Sequence, residues 1–184
     1  MLAAFLVVVM LAIVVFVLRP DSTALPASLP AGVTLAEPGR RVFAAMLDTA
    51  LAVIVASQVT GVRPSALLNV QVLMTQPDAM TLYLAAIGVG ALLGALTEWV
   101  FGTTFGKAMC GIDVVRPVFG RTSGGEVTLE LRRVSLWRSI VRNVAKWVLP
   151  PVAMSGLSTP DRRHRGDLAA GTIVVERTGR TRKG

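Results

Sequence analysis

Long apolar stretches dominate the first hundred residues of the chain. Residues 1–18 carry no charged side chain, and the stretches 42–60 and 80–101 carry one each, Asp48 and Glu98. Each stretch is close to the ~20 residues that an α-helix needs to cross the hydrocarbon layer of a bilayer. The pattern therefore predicts three transmembrane helices.

The first apolar stretch is also compatible with a cleaved signal peptide. No basic residue precedes it, however, and 18 residues exceed the ~7–15 of a typical signal-peptide core. We therefore expect residues 1–18 to form an uncleaved N-terminal anchor. Residues 19–39 are predicted to be a linker, because their prolines prevent a continuous helix. We expect this linker to be cytoplasmic.

After residue 101 the hydrophobic pattern becomes that of short strands. The segments 107–115, 126–131 and 171–176 are rich in β-branched residues or alternate between polar and apolar positions, which predicts a small cytoplasmic sheet. Residues 136–157 instead follow a helical period, with Arg138, Arg142 and Lys146 on one face. This pattern predicts an amphipathic helix at the membrane interface. A fourth full span is the alternative.

Together these elements predict the fold class: an all-α membrane protein with three transmembrane helices, an amphipathic interfacial helix and a small cytoplasmic β-sheet. Composition agrees, since 53% of residues are hydrophobic and 16% are charged, against about 25% charged in soluble domains. The lone Cys110 excludes a disulfide scaffold.

The net charge of +8 belongs to one end of the chain. Residues 1–101 have four basic and five acidic side chains, whereas residues 102–184 have fifteen basic and six acidic ones. The positive-inside rule then places the linker and the C-terminus in the cytoplasm, and the loop 61–79 outside. Anionic lipid headgroups are the expected partner of the basic tail, residues 177–184, and nucleic acid is not.

Asp48 and Glu98 are candidate site residues, because an ionisable side chain inside a span usually faces a bundle interior or a water-filled cavity. Each lies on a stripe of small residues at steps of four, which favours close helix packing. The stripes comprise Ala44, Ala52 and Ala56 in one span, and Ala86, Gly90 and Gly94 in the other. Packing through these stripes would set Gly94 opposite Ala52, and Asp48 opposite Glu98.

Two interpretations of the paired acids stay open. Two neighbouring carboxylates that do not both ionise easily could hold a proton or a cation and so form part of a transport pathway. Alternatively, Arg41 and Lys107 neutralise them, and the acids are structural.

Five short motifs follow one another over residues 40–176. They are Arg-x-x-Ala-x-x-x-Asp (Arg41–Asp48), Glu-x-x-x-Gly-x-Thr-x-Gly-Lys (Glu98–Lys107), Gly-x-x-Val-Val (Gly111–Val115), Arg-x-x-x-Arg-Asn (Arg138–Asn143) and Asp-x-x-Ala-Gly-Thr-x-Val-Val (Asp167–Val175). In this order they resemble the RDD family of bacterial integral membrane proteins. Phe105 departs from the proline common in the family, and residues 1–18 precede the RDD-like domain.

The resemblance implies that the Arg and two Asp of the family name are Arg41, Asp48 and Asp167. It also implies a multi-pass protein of a bacterial cell membrane, in a family for which transport of unidentified ligands and sodium/proton exchange have been suggested. We expect Asp167 to fold back and pair with Arg41, because a guanidinium binds a carboxylate well at a partly desolvated interface. A local capping role for Asp167 is the alternative.

The predicted ligand- or ion-binding residues are therefore Asp48, Glu98, Arg41 and Asp167. The sequence has no nucleophile elbow and no P-loop, so we expect no enzyme, no catalytic residues, no cofactor and no metal. The expected function is to move, or help move, a small cation, proton or other ligand. The alternative is a non-transporting scaffold or accessory subunit. Either is expected as a homo-oligomer or within a larger complex.

Overall fold

The computed structural model describes residues 29, 33–68, 70–121, 127–148 and 165–177. These residues form helices and a three-stranded sheet. The helices are α1 (Pro38–Thr60), α2 (Val70–Thr75), α3 (Pro77–Phe101), α4 (Phe105–Met109), α5 (Leu136–Val148) and α6 (Arg165–Ala170), with a 3₁₀ turn at Pro64–Leu68. The strands are β1 (Ile112–Arg121), β2 (Val127–Arg132) and β3 (Ile173–Glu176).

The helices α1 and α3 are long and apolar enough to cross a membrane, at 23 and 25 residues. Their lengths correspond to about 35 Å or more at 1.5 Å per residue. Each ends at a glycine in the left-handed region, Gly61 with φ 72° and Gly102 with φ 75°, where residues with a Cβ are strained. The third predicted span, residues 1–18, lies outside the described residues, as do most of the linker and residues 178–184.

The small-residue stripes form the buried faces of the two long helices, as the sequence predicts. On α1 the buried residues are Ala44, Asp48, Ala52 and Ala56, and on α3 they include Ala86, Gly90, Gly94 and Glu98. The two glycines, however, allow α5 as well as α1 to pack closely against α3. A Cβ on Gly90 would clash with the Trp147 ring, and one on Gly94 would clash with the Asn143 side chain.

The sheet has the order β2-β1-β3, and both pairings are antiparallel. Val115 pairs with Ile173 in β3, and an isolated bridge joins Leu35 to Val175. The segment before α1, the strand after α3 and the C-terminal strand therefore lie on one side of the molecule. This pairing contradicts the alternative in which residues 136–157 cross the membrane once and leave the C-terminal segment on the opposite side.

The amphipathic helix α5 is confirmed over Leu136–Val148, but its orientation differs from the prediction. Ser139 bonds to the Ala95 carbonyl, Asn143 contacts Gly94, and Trp147 contacts Gly90. As the residue numbers rise along α5 they fall along α3, so the two helices run antiparallel. Residues 136–148 therefore pack along the C-terminal half of α3, and their position at the membrane interface stays a prediction; residues 149–157 lie outside the described part.

The amphipathicity of α5 is also inverted. Its apolar residues Trp137, Val144 and Val148 are exposed, whereas Arg142 is 2% exposed and Lys146 is largely buried. The basic face of this helix turns inward because the carboxylates of the neighbouring helices lie there. A small apolar core under the sheet, comprising Ala36, Ala44, Ile112, Val114, Val134 and Val174, fixes the sheet to the start of α1.

Candidate functional site

In the part of the chain that the structure describes, seven ionisable side chains meet where α1, α3, α4, α5 and α6 converge. This ionic cluster consists of the acids Asp48, Glu98 and Asp167 and the bases Arg41, Lys107, Arg142 and Lys146. All three acids are buried. Each of them is joined to at least one base of the cluster, because an unpaired charge at such a depth would be strongly destabilising.

Glu98 is the fully buried acid near the C-terminal end of α3. One carboxylate oxygen accepts hydrogen bonds from Lys107 and Arg142. The other oxygen accepts from Asn143 Nδ2 at 2.9 Å and Ser139 Oγ at 3.4 Å. Both carboxylate oxygens are thus hydrogen-bonded, and three of the four donor residues lie on α5.

Asp48, on α1, is held by the turn that follows α3. Its carboxylate accepts hydrogen bonds from Thr104 Oγ1 at 2.7 Å and from the Gly106 backbone N–H at 2.8 Å. Lys146 donates to Oδ2 from 3.2 Å. Only glycine fits at position 106, since a Cβ there would clash with the Ala44 carbonyl oxygen.

Asp167 lies in the first turn of α6 and is fully buried. Arg41 Nη2 donates to its Oδ2 at 3.3 Å, and Arg142 Nε donates to its Oδ1. The predicted ion pair between Arg41 and Asp167 is therefore confirmed. Since Arg142 bonds both Asp167 and Glu98, one guanidinium connects α6 to α3.

Among the described residues the cluster carries an excess of one positive charge, because four bases face three acids. Lys107 lies beyond the end of α3 and is 5% exposed. Burial and the neighbouring Arg142 together lower the pKa of Lys107 to about 8, against the opposing effect of Glu98. The excess charge of the cluster is therefore removed when this one lysine loses its proton.

The structure brings all four predicted site residues into this cluster. Lys107 neutralises Glu98, as one of the two interpretations expects. Asp48 pairs with Lys146, whereas Arg41 pairs with Asp167. Sequence reasoning missed Arg142, Lys146 and Asn143 as site residues. The spacing of Arg138, Arg142 and Lys146 was the available signal, but the same spacing is equally typical of a helix face exposed to solvent.

A pocket of about 80 Å³ adjoins the cluster between α1, α3 and α5. Asp48, Asn143 and Lys146 form its polar end. Its remaining lining is mostly apolar and consists of Leu51, Ala52, Gly90, Leu93, Gly94, Thr97, Thr104, Phe105 and Trp147. Among the residues that the structure describes, no three His, Cys, Asp or Glu side chains are grouped to hold a metal ion.

Comparison of the chain with protein-family models, with curated proteins and with solved structures finds no match.

Proposed function

We propose that this chain is a multi-pass membrane protein that acts as a non-transporting scaffold or accessory subunit of a membrane complex. The observation that carries the proposal is the internal neutralisation of the acids. Glu98 is bonded by Lys107 and Arg142, and Asp48 by Lys146. An acid that is bonded to a base of its own chain holds helices together and does not need a cation.

A cation pathway through Glu98 is disfavoured by charge and burial. An entering cation would have to displace Lys107 or Arg142, which are 5% and 2% exposed. A displaced Lys107 would then be buried away from its carboxylate, at a cost of about 3–5 kcal/mol, and a displaced Arg142 would keep only Asp167. The excess positive charge of the cluster also repels a further cation.

Insertion into a membrane is supported by the outer surfaces of α1 and α3. Large apolar side chains are exposed on both, a pattern that lipid stabilises and water does not. They include Phe43, Met46 and Ile54 on α1, and Leu84, Leu92 and Leu96 on α3. The concentration of basic residues after residue 101 supports a cytoplasmic position for the sheet. The proposed bacterial cell membrane rests on the resemblance to the RDD family.

Membership of the RDD family is part of the proposal and rests on the motifs. The three residues that would give the family its name lie in one cluster in this chain. Arg41 binds Asp167, and Arg142 joins Asp167 to Glu98, while Asp48 lies at the other end of the same cluster. These contacts supply a structural reason for the motifs to occur together, because residues from different motifs bind one another.

Transport through Asp48 is the second candidate, and one observation favours it. Lys146 is 15% exposed and lines the pocket together with Asp48. This ion pair lies at the edge of the cluster, so a small cation or a proton could exchange with the lysine ammonium there.

Ion flux in proteoliposomes distinguishes the two candidates. For a scaffold we expect sodium and proton flux equal to that of empty liposomes, both for the wild type and for Asp48→Asn. Asp48→Asn should lower the Tm, whereas Asp78→Asn, in the exposed first turn of α3, should not. A wild-type flux that Asp48→Asn abolishes and Asp78→Asn retains would overturn the scaffold proposal.

A further inference from the structure

Arg138 is the basic residue of α5 that lies outside the ionic cluster. Arg142 and Lys146, one and two turns further along the helix, bind buried acids. Arg138 instead donates from Nη1 to the Ala170 carbonyl at the end of α6. In the described part of the chain this is its one hydrogen bond, so most of the N–H groups of its guanidinium can serve a ligand.

Arg116 brings a second guanidinium to the same place. The pairing of β1 with β3 ends at Ile173, and Arg116 is the next residue of β1. Its side chain lies on the sheet face that Val114 turns into the core, because alternate residues of a strand share a face. Arg138 reaches the same end of β3 from α5, since its Nη1 lies 2.7 Å from where a Cβ on Gly171 would be.

The charges of Arg116 and Arg138 are not balanced by an acid in the described part of the chain. Burial and then the positive charge of Arg116 lower the pKa of Arg138, but a guanidinium stays protonated in proteins. The neighbouring acid Glu130 is already bonded to Arg132, the residue opposite Arg116 in β2. Since adjacent like charges repel, an anion that binds both guanidiniums would be stabilised there.

A phosphate group suits this pair of side chains. A guanidinium presents its N–H groups in a planar fork, from which two phosphate oxygens can accept hydrogen bonds at once. Arg116 and Arg138 are both half-buried, so their positions are restricted by the surrounding structure before any anion binds.

The level of the pair along α3 indicates the source of the phosphate. Ser139, the residue after Arg138, bonds to the Ala95 carbonyl, so Arg138 is level with the last turns of α3. Trp137 and Phe101, at the same end of the two helices, are 71% and 70% exposed. Exposed aromatic side chains are typical of the layer where a membrane helix meets the lipid headgroups.

We propose that Arg116 and Arg138 bind the phosphate of an anionic phospholipid at the cytoplasmic end of α3, with the acyl chains in the surrounding bilayer. This goes beyond the scaffold function and rests only on the membrane insertion and topology proposed with it. The scaffold could fail as a function while the lipid site stands, because the flux measurement does not depend on an anionic lipid.

The test compares an anionic lipid with a zwitterionic one. Wild-type protein is placed in phosphatidylcholine nanodiscs with or without phosphatidylglycerol, and the Tm and the lipids that stay bound to the released protein are measured. We expect phosphatidylglycerol to raise the Tm and to be bound in preference to phosphatidylcholine. The absence of a preference in the wild type would overturn the proposal.

A matched pair of variants locates the site. Arg116→Gln removes no hydrogen bond of the described chain, so its Tm in phosphatidylcholine alone should equal that of the wild type. It should bind phosphatidylglycerol about tenfold more weakly, the factor that a hydrogen bond to a charged group supplies. Arg138→Gln should also weaken binding. Arg177→Gln takes the same charge from an arginine that already binds Asp113, and it should retain the preference.

Two outcomes would contradict the site. Equal weakening by Arg116→Gln and Arg177→Gln would mean that the lipid is attracted by net charge and not by a pair of guanidiniums. Inorganic phosphate, added to phosphatidylcholine nanodiscs at constant ionic strength, should leave the Tm unchanged. A rise in Tm that Arg116→Gln abolishes would show a site for soluble phosphate and overturn the assignment to a lipid.

Discussion

Asp167 accepts a hydrogen bond from Arg41 at 3.3 Å although 126 residues separate them in the sequence. Arg142 binds the second oxygen of the same carboxylate. Asp167 thus joins the start of α1 to α5 and holds α6 and β3 against the two long helices. The C-terminal strand is attached to the two long helices by this carboxylate as well as by the sheet.

Replacing Asp167 by Asn should strongly destabilise the protein, because it removes the buried carboxylate charge that Arg41 and Arg142 both bind. The expected loss in free energy of unfolding is about 3–5 kcal/mol. Asp113→Asn is the matched control, because Asp113 also binds an arginine, Arg177, but at the surface. The control should lose about 0–1 kcal/mol. Equal losses in thermal or denaturant unfolding would contradict a special role for Asp167.

The bond between Glu98 and Lys107 should show strong coupling. We expect Glu98→Gln to lose about 3–5 kcal/mol in unfolding free energy. Lys107→Met in the same chain should recover part of that loss, with a coupling energy of about 0.5–3 kcal/mol. The same cycle at the exposed pair Glu130–Arg132 should give a coupling near zero. Strict additivity at Glu98 and Lys107 would show that they do not stabilise each other.

Stability should rise with pH through the titration of Lys107. Its pKa is about 8 in the folded protein and about 10.4 in an unfolded chain. Between these values the unfolded chain retains a proton that the folded chain has released, so higher pH favours folding. Below the folded pKa the lysine is charged in both states, and its contribution no longer changes.

The measurement is Tm against pH from about 7 to about 10, in the wild type and in Lys107→Met. The groups facing this lysine are Glu98, Asp48, Arg142 and Lys146. We expect the rise in the wild type and a flatter profile in the variant. Parallel profiles would mean that another group causes the pH dependence.

Two glycine substitutions should act in opposite directions. Gly106→Ala places a Cβ against the Ala44 carbonyl and the Asp48 carboxylate, so it should destabilise the protein and weaken the hold on Asp48. Gly88 lies exposed within α3 and has open space around it. Gly88→Ala should therefore stabilise by about 0.5–1 kcal/mol through helix propensity. Chemical unfolding of both variants checks the signs.

Accessibility labelling tests the predicted topology. With Cys110 replaced by Ser, single cysteines at Arg63 and at Arg133 should lie on opposite sides of the membrane. An impermeant thiol reagent added outside should react at position 63 and not at position 133. The reverse pattern would invert the topology, and labelling at both positions would contradict α1 and α3 as spans.

The apolar pattern alone predicts α1 and α3, because lipid-compatible helices need an uninterrupted run of about 20 residues. Asp48 and Glu98 could be identified because an acid in such a run is costly. The role of α5 could not be predicted in this way. Its Arg142 and Lys146 have the spacing of a headgroup-binding face, and the sequence does not show that three carboxylates from other elements converge on that face.

Gly90 and Gly94 illustrate the same difficulty at the level of packing. Their spacing predicts a close approach of helices but does not identify the neighbour. The side chains of Trp147 and Asn143 pack directly against these glycines. The helix α5 therefore contacts the small-residue stripe of α3, for which the sequence predicts only α1 as a neighbour.

The inverted polarity of α5 imposes an order on biosynthesis. On the proposed membrane insertion, α1 and α3 would enter the bilayer by their apolarity, but α5 carries charges that would cost about 2.5–3.5 kcal/mol each at the bilayer centre. This cost is offset only when Arg142 and Lys146 meet Glu98 and Asp48. The helix must therefore dock after the two spans are in place. Until it docks, Asp48 lacks its lysine and Glu98 is bonded only by Lys107.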